Sequence, residues 1–153
     1  MKIDQPIRWG ILACGGIARK FADDLAYVSN GYLAAVSSRD ISRAEEFASH
    51  YSKDVKVYGS YEAMLSSGEI DVVYIASPHG LHYEHTMMCL DAGLPVLCEK
   101  AFAINSGQVA KMIAKAREKN IFLMEALWTR FHPSIVKLRE LISSGVIGDI
   151  LHL

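Results

Sequence analysis

Six times along this chain a short apolar run stops at a turn and is followed by apolar residues recurring every three or four positions. The runs are 7–13 (IRWGILA), 32–36 (YLAAV), 55–58 (VKVY), 71–76 (DVVYIA), 95–98 (PVLC) and 121–124 (IFLM). Most carry too little polar alternation for a strand with one wet face, so they predict strands covered on both sides. The intervening segments supply the cover. Ile17, Phe21, Leu25 and Val28 share one helical face, and Ile41, Ala44, Phe47, Ala48 and Tyr51 share another. Ser60 reads as the N-cap of a short helix to Leu65, residues 81–92 form a helix stopped by Gly93, and Asn105 caps a helix with Val109, Met112, Ile113 and Ala116 inward. His132-Pro133 opens a last helix whose inward residues are Ile135, Leu138, Leu141 and Ile142. Strands and helices in strict alternation specify an α/β fold, a Rossmann-type doubly wound parallel sheet with helices on both faces. Residues 1–124 are expected to form that unit. Residues 125–153 read as a connecting segment and helix leading into a further domain, whose opening strand would start at Ile150.

Composition narrows the function classes. Hydrophobic residues are 51% and charged residues 22% of the 153, which fits a packed domain. Sixteen basic against 17 acidic residues leave a net charge of −1, without the basic excess of a nucleic-acid or membrane-surface binder. Cys14, Cys89 and Cys98 lie in apolar segments, an odd number that makes no disulfide framework and suggests reduced thiols in a cytoplasmic protein. The opening MKIDQPIRWG runs directly into a strand, so neither a signal peptide nor a membrane span is expected.

The chemistry gathers at the ends of the predicted strands. After the first comes Ala13-Cys14-Gly15-Gly16-Ile17-Ala18. Set on the pattern G-x-G-x-x-G/A, Ala13 takes the first glycine's place, Gly15 the second and Ala18 the third. The amides opening the Ile17 helix would face a pyrophosphate. After the second strand stands Ser37-Ser38-Arg39-Asp40, with Arg43 one turn on, where an NAD binder usually places an acid. A hydroxyl and two guanidinium groups suit the 2′-phosphate of NADP, so NADP(H) is preferred and NAD is possible. The fourth strand ends in Ser77-Pro78-His79-Gly80-Leu81-His82 and the fifth in Cys98-Glu99-Lys100, both aimed at the crevice at the carboxyl edge. Lys100, placed directly after a buried strand and partly desolvated, would serve as proton donor or acceptor for an alcohol–carbonyl pair. His82, His85 and Cys89 at helical spacing raise a metal reading, but no H-E-x-x-H or carboxylate partner accompanies them, and no metal is expected.

The runs RWGILACGGIARKF, VYIASPHGLHYEHTMMCLDAGLPVLCEKAF and MEALWTRFHP together resemble the glucose–fructose oxidoreductase, inositol dehydrogenase and rhizopine-catabolism family. Within it, Glu125 to Phe131 and the Ser38-Arg39 pair are most similar to the dihydrodiol dehydrogenases. The resemblance implies that Lys100 is the active-site lysine of a Glu-Lys-Pro motif in which Ala101 replaces proline. It also implies that Glu99 lies near the nicotinamide ribose and His82 near the nicotinamide. Arg39 and Arg43 would contact the NADP phosphate, and Trp128 and Arg130 would line the same cleft. It further implies a following antiparallel-sheet domain that carries substrate contacts, a second catalytic Tyr or His and a homodimer interface. The substrate would be a sugar, polyol or dihydrodiol. A non-catalytic dinucleotide-sensing module is the alternative reading, and a small metal-dependent hydrolase rests on the histidines alone.

Overall fold

A computed structural model describes residues 5–149. Its elements run β1 (Ile7–Leu12), α1 (Gly16–Leu25), β2 (Gly31–Ser37), α2 (Ile41–Ala48), β3 (Lys56–Tyr58), α3 (Tyr61–Leu65), β4 (Val72–Ile75), α4 (His82–Asp91), β5 (Val96–Cys98), α5 (Ser106–Glu118), β6 (Leu123–Glu125) and α6 (Pro133–Ser143). Single 3-10 turns occupy His79–Leu81 and Trp128–Phe131. All pairings are parallel, in the order β3-β2-β1-β4-β5-β6. The chain therefore winds outward from β1 in one direction, then returns and winds outward from β4 in the other. A switch point is left between β1 and β4, where ligands of such sheets bind.

The period of two along each strand divides the core between two faces. Leu12, Val73, Ile75, Val96 and Cys98 pack with Met64, Leu90 and Ala116 from α3, α4 and α5. Ile11, Val36 and Tyr74 point the other way, to Ala18, Ala22, Ala44 and Phe47 of α1 and α2. The caps fall where the sequence places them. Asp40 accepts from Ser42 N at 3.1 Å, Ser60 from Ala63 N at 3.1 Å and Asn105 from Gln108 N at 2.9 Å.

Three packing expectations need correction. On α1 the buried line is Ala18, Ala22 and Leu25, one step round from the predicted face, and Ile17 and Val28 are exposed. Two alanines let the helix sit close to the sheet, and Ile17 is turned toward the carboxyl edge. β6 begins two residues late because Asn120 takes a left-handed conformation (φ 53°) and Ile121 N bonds back to Ala116 O, so these residues close α5. α6 buries nothing: Ile135, Leu138 and Leu141 are exposed and Ile142 only half-buried. The strand expected from Ile150 lies outside the described residues.

Ala13 has φ 75°, a left-handed backbone that costs an alanine roughly 1–2 kcal/mol and a glycine almost nothing. Ala13→Gly relieves that cost but adds freedom to the unfolded chain. The expected net gain is about 0.5 kcal/mol, checked by urea unfolding; a lower midpoint would contradict the strain assignment.

Candidate active site

The ladder continues past the strand ends and brings the candidate segments onto one edge. Ala13 N bonds Ser37 O (3.0 Å), Ala76 N bonds Leu12 O (3.0 Å), Glu99 N bonds Ile75 O (3.0 Å) and Ala126 N bonds Cys98 O (2.7 Å). The turn after β1, the Ser38-Arg39 pair, the Ser77 turn and Glu99-Lys100 consequently stand in a row.

At the first turn, α1 opens from Gly15 with no side-chain cap, in contrast to α2, α3 and α5, and with no acidic residue in its first turn. Side chains built at Gly15 or Gly16 would meet no atom within 4 Å. Gly15, at φ −96°, needs no glycine for its backbone. What the two glycines leave is open space over unpaired helix amides, a cradle that fits a pyrophosphate.

Beside it Ser38 is buried, its Oγ accepting from Asp40 N at 3.2 Å, while Arg39 is exposed. Among the described residues Arg39 pairs with no carboxylate, whereas Arg43 Nε lies 3.8 Å from Asp40 Oδ2. Tyr61 is a buried side chain whose pKa is raised by burial and partly lowered again by the Arg39 cation. The edge of Tyr61 meets the His85 ring at 4.9 Å between centroids. The sequence did not single out Tyr61, whose approach to Arg39 depends on the crossing of α3 over β2.

The two histidines of α4 are structural at first contact. His82 is fully buried, with ring nitrogens 2.8 Å from Ser77 O and 2.7 Å from Ala101 O, so it ties the turn after β4 to the turn after β5. It lies beneath the edge, and the exposed histidine here is His79, next to Pro78. His85 Nδ1 lies 2.9 Å from Ser77 Oγ. Cys89 is in the core, its thiol pushed up by burial, and no group of three metal-ligating side chains meets among the described residues. Cys14 is half-buried, with its thiol pushed up to about 11 by burial.

Burial also holds the His85 imidazole below its ordinary 6.5, with Arg39 and His82 acting in the same direction and Glu84 against it. Below about pH 6.5 the unfolded chain therefore binds more protons than the folded one, so this contribution to stability is present above that pH and fades as pH falls. The urea midpoint should drop between about pH 7 and pH 5, and His85→Asn should flatten that drop. An unchanged slope in the variant would assign the titration elsewhere.

Lys100 is exposed, so the desolvation expected for it is not supplied by the described residues. Its peptide to Ala101 is cis. Glu99 is buried: Oε1 accepts from the Tyr74 hydroxyl and Oε2 from Lys100 N at 3.2 Å. On the α1 side a groove of about 630 Å³ runs from Ile17 past Phe21, Tyr74 and Glu99 to Trp128 and Phe131. Trp128 and Arg130 are exposed on the 3-10 turn beside it. The arrangement offers amides for phosphate, cations for a further phosphate, a largely apolar slot that Lys20 and Asp24 also line, and the exposed Lys100 directly after Glu99.

The profile of an oxidoreductase family with an NAD-binding Rossmann fold matches residues 7–127. The chain belongs to this family. It is 43% identical to D-xylose 1-dehydrogenase (NADP(+)) of Hypocrea jecorina, over 94% of this chain and 40% of that protein. It is 44% identical to trans-1,2-dihydrobenzene-1,2-diol dehydrogenase of Mus musculus, over 94% of this chain and 44% of that protein. In structure it superposes on KijD10, a 3-ketoreductase from Actinomadura kijaniata in complex with NADP, with a TM-score of 0.85 and 31% identity over 95% of this chain and 46% of the other. The chain thus spans less than half the length of these relatives.

Proposed function

We propose that this chain is the nucleotide-binding part of an NADP(H)-dependent oxidoreductase acting on a CH–OH group of a sugar, polyol or trans-dihydrodiol. The observation that carries the reading is the alignment of an uncapped glycine cradle, the Arg39 site and Lys100 on one sheet edge. Relatives named D-xylose 1-dehydrogenase (NADP(+)) and trans-1,2-dihydrobenzene-1,2-diol dehydrogenase support the same chemistry.

In this reading Ala13, Gly15, Gly16 and Ile17 hold the pyrophosphate, and Ser38, Arg39 and Arg43 hold the 2′-phosphate. Pro78 and His79 border the nicotinamide half, and Ser77 and His82 fix that turn from below. Glu99 lines the slot, and Trp128 and Arg130 wall it on the far side. A bound nicotinamide would supply the hydride acceptor or donor for the carbinol carbon. Lys100 Nζ takes the hydroxyl proton during oxidation and returns it during reduction, in partnership with a residue of a further domain. That domain also desolvates Lys100 and supplies the substrate wall. α6 supports this, since its apolar face is open among the described residues. The whole protein is proposed to be a cytoplasmic homodimer. The three free cysteines of this chain fit a reducing compartment.

The test is turnover of the protein that carries this chain, with NADP+ and NAD+, on an aldose, a polyol and a trans-dihydrodiol. Oxidation of at least one class with NADP+ favoured is the expected result. Tight NADPH binding without turnover on any of them would favour a sensing module instead.

A further inference from the structure

Tyr74 is the only polar side chain on β4, and the core position it holds asks for an explanation. It is 2% exposed, and its ring lies flat on Phe21 of α1, centroids 3.8 Å apart and planes 13° apart. Phe21 in turn takes the edge of Trp9 at 5.1 Å. A phenylalanine would satisfy this packing as well. The hydroxyl has a separate destination: it donates to Glu99 Oε1 across the β4–β5 ladder, 25 residues away. The other oxygen of that carboxylate accepts the backbone amide of Lys100 at 3.2 Å.

We infer that Tyr74 is a positioning residue for Lys100, acting through Glu99 to fix the backbone from which the lysine rises. The catalytic part of this rests on the proposed role of Lys100; the positional part rests on the hydrogen bonds alone. A buried carboxylate must have both oxygens satisfied. With Tyr74 in place Glu99 is held between two donors and keeps its conformer. Without the hydroxyl, Oε1 faces the open groove, and the carboxylate turns into that space toward water and releases the Lys100 amide. Burial, and then Glu99 itself, push the Tyr74 phenol far up, so the hydroxyl remains a donor wherever the chain is folded. Phe21 belongs to the helix whose first turn forms the phosphate cradle, so the stack also links that helix to the lysine.

Tyr74→Phe keeps the stack and removes only the donor. In this chain, amide hydrogen exchange of residues 99–101 should become roughly tenfold faster, with Ile11 and Val36 of the central strands unchanged. Leu90→Ala, a core cavity on the opposite face, should instead raise exchange throughout. In the protein carrying the chain, Tyr74→Phe should lower kcat roughly tenfold and leave KM for NADPH within about twofold. Unchanged exchange at 99–101, or a uniform rise like that of Leu90→Ala, would overturn the inference. Lys100→Met separates the two claims. A local exchange change in Tyr74→Phe together with full turnover in Lys100→Met would leave the positional strap standing and overturn the proposed chemistry. Loss of turnover in Lys100→Met with no local change in Tyr74→Phe would do the reverse.

Discussion

Lys100→Met is expected to cut turnover by roughly 10²–10⁴-fold while NADPH affinity changes by no more than about twofold, the span for loss of a general acid–base group. Methionine matches the length of the lysine stem and removes the amine. Lys100 is exposed and its Nζ forms no ion pair among the described residues, so the change leaves no buried charge without a partner. The hydrogen bond that its backbone N–H donates to the Glu99 carboxylate does not involve the side chain and survives. Folding should therefore be unaffected, and circular dichroism and thermal unfolding check this directly. The effect should fall on kcat, since the role proposed for this amine is proton transfer at the substrate's oxygen and not the holding of the nucleotide. Stopped-flow hydride transfer and nucleotide titration on the same preparation separate the two. Near-normal turnover would remove Lys100 from the mechanism, and a parallel loss of nucleotide binding would make it a cofactor ligand.

Arg39→Asp carries the second large effect. It replaces a donor fork with a negative charge at the position where the ribose of the adenosine half would lie. NADPH affinity should fall by about 100-fold, the sum of a lost charge-assisted bond and an added repulsion. NADH should be unchanged or bound more tightly, because an aspartate there can accept from both ribose hydroxyls. Tyr61, Ser38 and Asp40 remain in place to shape the site. The two titrations together distinguish a phosphate contact from a surface arginine: equal losses for both nucleotides would end the NADP assignment.

The architecture was legible because burial on both faces makes strands such as 72–75 near-continuously apolar, while the covering helices keep a period near 3.6. Turn chemistry located Ser60, Asn105 and the glycines of the first turn from single residues. Where the reading erred, side-chain size or tertiary partners decided. α1 buries Ala18 and Ala22 and exposes Ile17, since close approach to the sheet favours small residues over large ones. α6 is amphipathic but its apolar face is left uncovered among the described residues, a fact that periodicity cannot register. His82 stood at the expected edge, yet its depth followed from two backbone carbonyls contributed by different turns. Tyr74, Glu99 and Lys100 were all visible as residues. Their connection ran across the β4–β5 ladder, and only the register of that ladder brings them together.

The proposed function requires that this edge hold a nucleotide and select its 2′-phosphate. Isothermal titration of this 153-residue chain with NADPH and NADH measures both at once. The account predicts saturable one-to-one binding of NADPH, at least about tenfold tighter than NADH, with the preference lost in Arg39→Asp. Absence of binding for either nucleotide, or a preference for NADH, would contradict it.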